Sequence, residues 1–307
     1  MRIKISEIKE NIKSIKIQGA TNVALATLEG IKLVVNEGNY KTSSELLEEV
    51  ERVGIELSTA RENEPLARNG VKFLLGKLKD YESVEEAKKH IVDVCDEYVS
   101  LIKKAKEKIF ESGVKELKGK KVVLTHCHSS TTTKILIELS KKNPKLVVVS
   151  TETRPLYQGR LTAKELSAAG VKTYQIVDSA APSFIEDDRY LPVECVIVGN
   201  DELLSNGNFV NKVGTYSMAL SALVGKDEFY VATSLLKLDL SKNPKFPEIE
   251  MRPGSEVWNE APEGLQIINP SFDMVDSKYV TGYITEAGVI SVKEIKEKAL
   301  KLYPWLK

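Results

Sequence analysis

The segment KVVLTHCHSSTTTKILIELSKKNPKLVVVST, residues 121–151, decides the fold. Two β-branched runs, VVLT and LVVVS, enclose a segment with apolar residues at helical spacing. A strand, a helix and a second strand in this order form a βαβ unit, in which the strands are parallel and the helix crosses over.

The same alternation continues beyond this unit. Further short β-branched runs lie in VKTYQIVD, ECVIVGN, EFYVATS and VTGYIT, at residues 171–178, 194–200, 228–234 and 280–285. The segments TAKELSAAG and NKVGTYSMALSALVG between them are long enough for crossover helices, and VKEIKEKALKLY predicts a helix near the C-terminus. We therefore predict a Rossmann-like α/β domain over residues 116–307, with a mainly parallel sheet covered by helices on both faces.

The first third of the chain has a different pattern. Segments such as NVALATLEGIKLVV and TSSELLEEVERVGIEL carry apolar residues three and four apart, which predicts a helical N-terminal domain over residues 1–115. Ser83 and Glu86 form a capping-box pattern at the start of the last helix, and Gly113 is a natural stop for it.

Composition limits the classes of function. Lys plus Arg and Asp plus Glu are both 44, so the formal net charge is zero and no global positive field favours nucleic acid or an anionic membrane. No apolar run is long enough to span a bilayer, and the first residues do not resemble a signal peptide. Three cysteines far apart in the sequence argue against a disulfide framework. We expect a cytoplasmic protein.

Polar residues cluster where the predicted strands end, at the edge where open α/β sheets bind ligands. In THCHSSTTT, Cys127 precedes the start of a helix, where N–H groups and the helix dipole lower a thiol pKa and hold phosphate. A buried structural cysteine is the alternative. His126 and His128 flank it, and strand alternation would put both imidazoles on the face opposite the thiol, which argues against a zinc site.

A second polar cluster follows the fourth predicted strand in GNDELLSNGNFVNKVGT. Asp201 directly follows an apolar run, so it is either a semi-buried carboxylate with a raised pKa or a structural cap. Lys212 at a helix start opposes the helix dipole, which favours a phosphate ligand. Lys237, Arg61 and Arg154 are weaker candidates, because most such side chains are solvated. Dinucleotide-binding, P-loop and serine-elbow motifs are not found in the sequence.

These motifs resemble the superfamily of archaeal ribose-1,5-bisphosphate isomerase, methylthioribose-1-phosphate isomerase and the regulatory alpha, beta and delta subunits of translation initiation factor 2B. The resemblance covers almost the whole chain. It rests on KIQGATNVALATLEGI, ARENEPLARNG, LTHCHSS, STETRPLYQGRLTAKEL, VDSAAPSF, VIVGNDELLSNGNFVNKVGTYSMAL, EIEMRPGSEVW, NPSFD and YITEAGVIS.

The resemblance implies a proton acceptor at Cys127, a proton donor at Asp201, a phosphorylated pentose as substrate and no metal or redox cofactor. It also implies a homodimer or higher homo-oligomer. The substrate contacts that it implies are Gln18, Gly19, Ala20, Thr21, Arg61, Ser129, Ser130, Thr131, Asn211, Lys212 and Lys237.

Two departures from the isomerase pattern bear on function. Gln18 replaces an arginine that would bind phosphate, and Glu62 adds negative charge beside Arg61. The first hypothesis is an aldose-ketose isomerase that converts ribose 1,5-bisphosphate to ribulose 1,5-bisphosphate, because both reactive residue types are retained. The alternative is a noncatalytic regulator that resembles initiation factor 2B, binds a subunit of initiation factor 2 and senses a sugar phosphate or nucleotide. A simple scaffold would leave the polar strand ends unexplained.

Overall fold

The first part of the chain is helical. The computed structural model describes residues 2–187 and 190–307. Thr42 and Ser83 cap their helices by accepting hydrogen bonds from the backbone N–H groups of Glu45 and Glu86. The helices are α1 (Arg2–Lys13), α2 (Ala20–Glu37), α3 (Ser43–Ser58), α4 (Pro65–Leu75) and α5 (Val84–Glu116).

The prediction that Gly113 ends the last of these helices is wrong. Helix α5 continues to Glu116, and a Cβ atom on Gly113 would lie 2.6 Å from the Ile135 side chain. Glycine at this position therefore permits close packing between two helices. The boundary at residue 115 stays a prediction, because one apolar core runs from Ile5 in α1 to Leu306 near the C-terminus.

The second part forms a mainly parallel sheet, as predicted, but it has seven strands, and the strand at residues 288–290 was not among the six that the sequence predicted. Its order is β11-β10-β7-β4-β1-β2-β3, and all neighbours are parallel except the pair of β10 and β11. This is the strand order of a Rossmann-like sheet with an added edge strand. The strands are β1 (Val122–Thr125), β2 (Val147–Thr151), β3 (Lys172–Ile176), β4 (Cys195–Val198), β7 (Glu228–Ala232), β10 (Gly282–Thr285) and β11 (Gly288–Ile290).

Helices cover both faces of this sheet. Leu124 and Val198 belong to the core that includes the N-terminal helices, whereas Val123 and Ile197 belong to a second core with Ile135 and its neighbours. Successive strand residues point to opposite faces, so the two cores lie on opposite sides of the sheet. The remaining helices are α6 (Ser130–Lys142), α7 (Gln158–Ala168), α8 (Ala181–Glu186), α9 (Thr215–Gly225) and α10 (Ile295–Leu302).

A small four-stranded sheet, which the sequence did not predict, follows β4. Its order is β8-β5-β6-β9, and β5 and β6 form a hairpin around Gly207, whose φ is 87°. Asn211 and Lys212 therefore end a strand, and the prediction that Lys212 starts a helix is wrong, since α9 begins at Thr215. The strands are β5 (Glu202–Leu204), β6 (Phe209–Lys212), β8 (Leu238–Asp239) and β9 (Phe272–Val275).

No helix among residues 2–187 and 190–307 is both long and apolar enough to cross a membrane.

Candidate active site

A cavity of about 280 Å³ lies between the carboxyl edge of the large sheet and the N-terminal helices. It brings together every residue to which the family resemblance gave a catalytic or substrate-binding role, although those roles stay predictions. Those residues are Gln18, Gly19, Ala20, Thr21, Arg61, Cys127, Ser129, Ser130, Thr131, Asp201, Asn211, Lys212 and Lys237. Arg154, the other candidate from a strand end, does not line the cavity, and its Nη2 donates to the carbonyl of Val257 at 2.7 Å.

Nine further residues line the cavity, and the sequence analysis assigned none of them to substrate binding. The only sequence signal for His126 and His128 was their position at the end of a predicted strand. Nothing in the sequence distinguishes Lys106 from the other lysines of α5. The nine are Ile15, Asn22, Lys106, His126, His128, Gln158, Gly199, Asn200 and Phe272.

Cys127 is held in the left-handed region of backbone conformation, with φ 67°. Its N–H donates to Thr153 Oγ1 at 3.0 Å, and its carbonyl accepts from Thr162 Oγ1 at 2.9 Å. These two bonds stabilise a conformation that non-glycine residues seldom adopt. Strand β1 already ends at Thr125, so the predicted alternation does not extend to His126 and His128, and both line the same cavity as the thiol.

The expected lowering of the thiol pKa is wrong. Burial raises the pKa of Cys127 to about 11, and the nearby Lys212 only partly opposes this shift. The thiol is therefore mostly protonated at neutral pH.

Burial favours the neutral form of both histidine rings, and hydrogen bonds then set the tautomer of His126. His126 Nε2 donates to the carbonyl of Val213 at 2.9 Å, so its Nδ1 accepts from Thr151 Oγ1 at 2.6 Å. Burial lowers the pKa of His126 and of His128. Among the described residues, no group of three or more His, Cys, Asp and Glu side chains is arranged to hold a metal ion.

Asp201 lies directly after β4, and its N–H pairs with the carbonyl of Val210 across the hairpin. Burial raises the pKa of its carboxyl, while Lys237, Lys212 and Arg61 act in the opposite direction. A carboxyl that keeps its proton more readily than usual suits a proton donor.

Two lysines provide positive charge beside this pair. Lys212 is 6% exposed, and its Nζ lies 4.7 Å from the centre of the Phe272 ring. Lys237 Nζ donates to the backbone carbonyl of Asn200, and burial lowers the pKa of this lysine. The Asn200 side chain is buried, and neither its Oδ1 nor its Nδ2 has a hydrogen-bond partner within the described chain. Orphaned polar atoms of this kind in a cavity indicate a place for a polar ligand.

Two helix N-termini also face the cavity. Ser129 caps α6, and its close approach to β4 requires Gly199, where a Cβ would lie 2.7 Å from Ser129. Helix α2 starts after Gly19, which has φ 83° and offers no capping side chain, so the first N–H groups of α2 stay available to an anion. The sequence thus builds phosphate-binding backbone at both ends of the cavity.

Arg61 is different, because carboxylates already surround its guanidinium. Nη1 donates to Glu64 at 2.9 Å, and Nε and Nη2 lie 3.0 and 2.9 Å from Glu250. Burial raises the pKa of Glu64 to about 7, against the opposing effect of Arg61. Glu62, which the sequence analysis placed near the phosphate, instead pairs with Lys242 at 2.6 Å and does not line the cavity.

Comparisons with known proteins agree with this site and fold. The pattern of the initiation factor 2 subunit family matches residues 16–292. The ribose 1,5-bisphosphate isomerase of Archaeoglobus fulgidus is 33% identical over 292 residues, which are 93% of this chain and 89% of that protein.

Two solved structures share the fold. The translation initiation factor eIF-2B of Pyrococcus horikoshii OT3 superposes with a TM-score of 0.81 and 24% identity, covering 94% of this chain and 96% of that chain. The 5-methylthioribose 1-phosphate isomerase of the same organism gives 0.77 with 27% identity, covering 97% and 88%. On the extent of the family match and the identity to these relatives, the chain belongs to the initiation factor 2 subunit family.

Proposed function

We propose that this protein is an aldose-ketose isomerase that converts ribose 1,5-bisphosphate to ribulose 1,5-bisphosphate. The observation that carries the proposal is the position of Cys127 and Asp201 in one cavity with Lys212 and Lys237. A sugar phosphate in this cavity would therefore have a candidate general acid, a candidate general base and cations for its phosphates within one site. The relative from Archaeoglobus fulgidus, named for this activity, supports the same substrate.

The reaction must open the sugar ring, because the phosphate on C1 prevents a free aldehyde. Asp201 gives its proton to the ring oxygen as the C1–O bond breaks. The ionised fraction of Cys127, which Lys212 favours, takes the proton from C2, which leaves a phosphoenolate-like C1=C2 species. Cys127 then returns this proton to C1 and the Asp201 carboxylate accepts the proton of O2, which restores both groups and gives the ketose. Lys212, Lys237 and the helix N-termini stabilise the negative charge that develops during these steps.

The test is turnover of ribose 1,5-bisphosphate by the wild type and by Cys127→Ser. We expect turnover in the wild type and its loss in the variant. Because burial raises the pKa of Cys127 to about 11, the thiolate fraction should rise with pH from neutral towards pH 9, and the rate should rise with it as long as Asp201 keeps its proton and level off once Asp201 ionises. If the wild type turns over neither this substrate nor related sugar 1-phosphates, with or without AMP, the isomerase proposal is wrong.

The second candidate is a regulator that binds a subunit of initiation factor 2. The altered phosphate contacts favour it, since Gln18 is uncharged and two carboxylates surround Arg61. An inactive wild type that captures initiation factor 2 would support this reading. An active wild type that does not capture it would exclude this reading.

We also propose a homodimer in the cytoplasm. Helix α9 buries one side in the core and exposes Tyr216, Leu220, Leu223 and Val224 on the other. An apolar stripe of this kind on a surface helix suits a second copy of the same chain. Light scattering should give a particle mass of twice 34.1 kDa or a higher multiple. The three free cysteines suit a reducing compartment.

A further inference from the structure

Lys106 also lines the cavity and adds a positive charge to those of Lys212 and Lys237. It lies on α5, and its Nζ donates to Ser130 Oγ at 3.2 Å, at the first residue of α6. Burial and the neighbouring Lys237 lower the pKa of Lys106 to about 8. Two lysines and a helix N-terminus thus meet in a place partly withdrawn from water.

Similarly buried lysines elsewhere in the chain have carboxylate partners. Lys32 lies 2.5 Å from Asp96, and Lys120 lies 2.5 Å from Glu228. Lys106 has no carboxylate within ion-pair distance in the part of the chain that the structure describes, and its one side-chain hydrogen bond goes to a hydroxyl. A half-buried ammonium without a carboxylate is costly unless an anion joins it. The surroundings of Lys106 therefore suit an anionic group of a ligand in the cavity.

The position of Lys106 indicates which part of a ligand it meets. The cations that act most strongly on Asp201 are Lys237, Lys212 and Arg61, and the one that acts most strongly on Cys127 is Lys212. Lys237 is the charged group that acts on Lys106, and neither Cys127 nor Asp201 is among the groups that do. Lys106 instead contacts Ser130 at the start of α6, so it meets a part of the ligand other than the reacting carbons.

We propose that Lys106, with the N-terminus of α6, binds the 5-phosphate of a pentose bisphosphate and makes the cavity selective for bisphosphorylated over C5-unphosphorylated sugars. The inference rests on the proposed function, in which C1 and C2 react beside Cys127 and Asp201. The 1-phosphate is then close to Lys212 and Lys237, and the 5-phosphate lies at the far end of the sugar.

The test compares Lys106→Met with Lys104→Met on two substrates, ribose 1,5-bisphosphate and ribose 1-phosphate. Lys104 is an exposed residue of the same helix, so its substitution removes the same charge outside the cavity. For Lys106→Met we expect the KM of the bisphosphate to rise roughly tenfold to a hundredfold, as for the loss of one charge-assisted contact. We expect the KM of ribose 1-phosphate to change much less than that of the bisphosphate, so the ratio of the two KM values reports the contact with the 5-phosphate. Lys106→Arg should retain most of the affinity.

An equal change in KM for both substrates would overturn the proposal. Lys106 would then act on the 1-phosphate, or on the electrostatic potential of the whole cavity, and not on the 5-phosphate. A bisphosphate KM that changes no more than in Lys104→Met would also overturn it. A thermal melt serves as the folding control: without ligand, Lys106→Met should melt no lower than the wild type at pH 7, because the substitution removes a partly desolvated charge.

Calorimetric titration with the same two sugars separates this inference from the proposed function. If the wild type shows no turnover but binds the bisphosphate in a Lys106-dependent manner, the isomerase proposal fails and the inference stands. If turnover is observed and Lys106→Met binds both sugars as the wild type does, the inference fails and the isomerase stands. If the wild type binds neither sugar, both fail.

Discussion

The two walls of the cavity differ in the positive charge that they offer to a phosphate. The sheet wall consists of Cys127, Asp201 and Lys237, which follow strands β1, β4 and β7 of the large sheet, and Lys212, which ends β6 of the small sheet. The helical wall comprises residues 18–21, which lead into α2, and Arg61, which precedes α4. The sheet wall has both reactive groups and two lysines, whereas the helical wall has a glutamine and an arginine surrounded by carboxylates.

The sheet wall holds the groups proposed to transfer protons, whereas the helical wall holds groups proposed only to bind phosphate. Groups that transfer protons must be held to a fraction of an ångström, and the sheet wall holds them with paired backbone and buried contacts. Charges that only attract phosphate are replaceable, because another cation in the cavity can supply the same field. Lys106 supplies such a cation from α5, which adds to the positive field of the sheet wall.

The largest effect should come from the sheet wall. Asp201→Asn keeps the shape of the side chain and removes the proton that opens the ring. We expect kcat to fall by about 10²- to 10⁴-fold, the usual contribution of a general acid, while KM changes little. Steady-state kinetics with ribose 1,5-bisphosphate measures both constants.

The matched control is Asp239→Asn, a carboxylate that pairs with Arg68 outside the cavity. It should leave kcat within a few-fold of the wild type while lowering the melting temperature. If Asp201→Asn keeps wild-type kcat, Asp201 is a structural cap, which is the alternative that the sequence left open.

The sequence predicted the sheet wall well and the helical wall poorly. Strand ends can be located from β-branched runs, and parallel strands place their ends at one edge, so Cys127 and Asp201 could be brought together from pattern alone. The hairpin of β5 and β6 was missed, although Asn206-Gly207 is a strong hairpin signal, because its strands are only three and four residues long.

The sequence could not predict which side chains contact one another across the fold. Nothing in ARENEP shows that Arg61 would pair with Glu250, which lies 189 positions away. Likewise, Lys106 belongs to the run KKAKEK, and only the packing of α5 against α6 selects it for the cavity. The thiol pKa was misjudged for a related reason: the helix N-terminus was visible in the sequence, but the burial that raises the pKa was not.

The second effect, on stability, should come from Glu64 in the helical wall. In the folded protein, burial raises the pKa of this carboxyl from 4.5 to about 7. The protonated form is therefore favoured on folding, and the protein loses stability with rising pH from about 4.5, where the carboxyl ionises in the unfolded chain, to about 7, where it ionises in the folded protein. Glu64→Gln should remove this loss, so the variant should gain about 1 to 3 kcal/mol in free energy of unfolding relative to the wild type across that range.

Urea titrations at pH 5 and pH 8 measure this difference. Glu62→Gln is the control, because its partly exposed ion pair with Lys242 should contribute less than about 1 kcal/mol at either pH. A difference between Glu64→Gln and the wild type that is constant from pH 5 to pH 8 would show that Glu64 titrates outside this range. A wild type that gains stability relative to Glu64→Gln as pH rises would show that the attraction of Arg61 outweighs the cost of burying the charge.

The smallest effect should come from restoring a cation to the helical wall. Gln18→Arg places a guanidinium beside the uncapped N-terminus of α2, where an anion is already favoured. We expect KM for ribose 1,5-bisphosphate to fall about tenfold, equivalent to about 1.4 kcal/mol, with kcat unchanged, because Gln18 does not belong to the reacting pair. Asn36→Arg, which adds the same charge at the exposed far end of α2, should change neither constant. If Gln18→Arg raises KM or acts no more strongly than Asn36→Arg, the phosphates do not reach the helical wall, and the sheet wall with Lys106 binds the ligand alone.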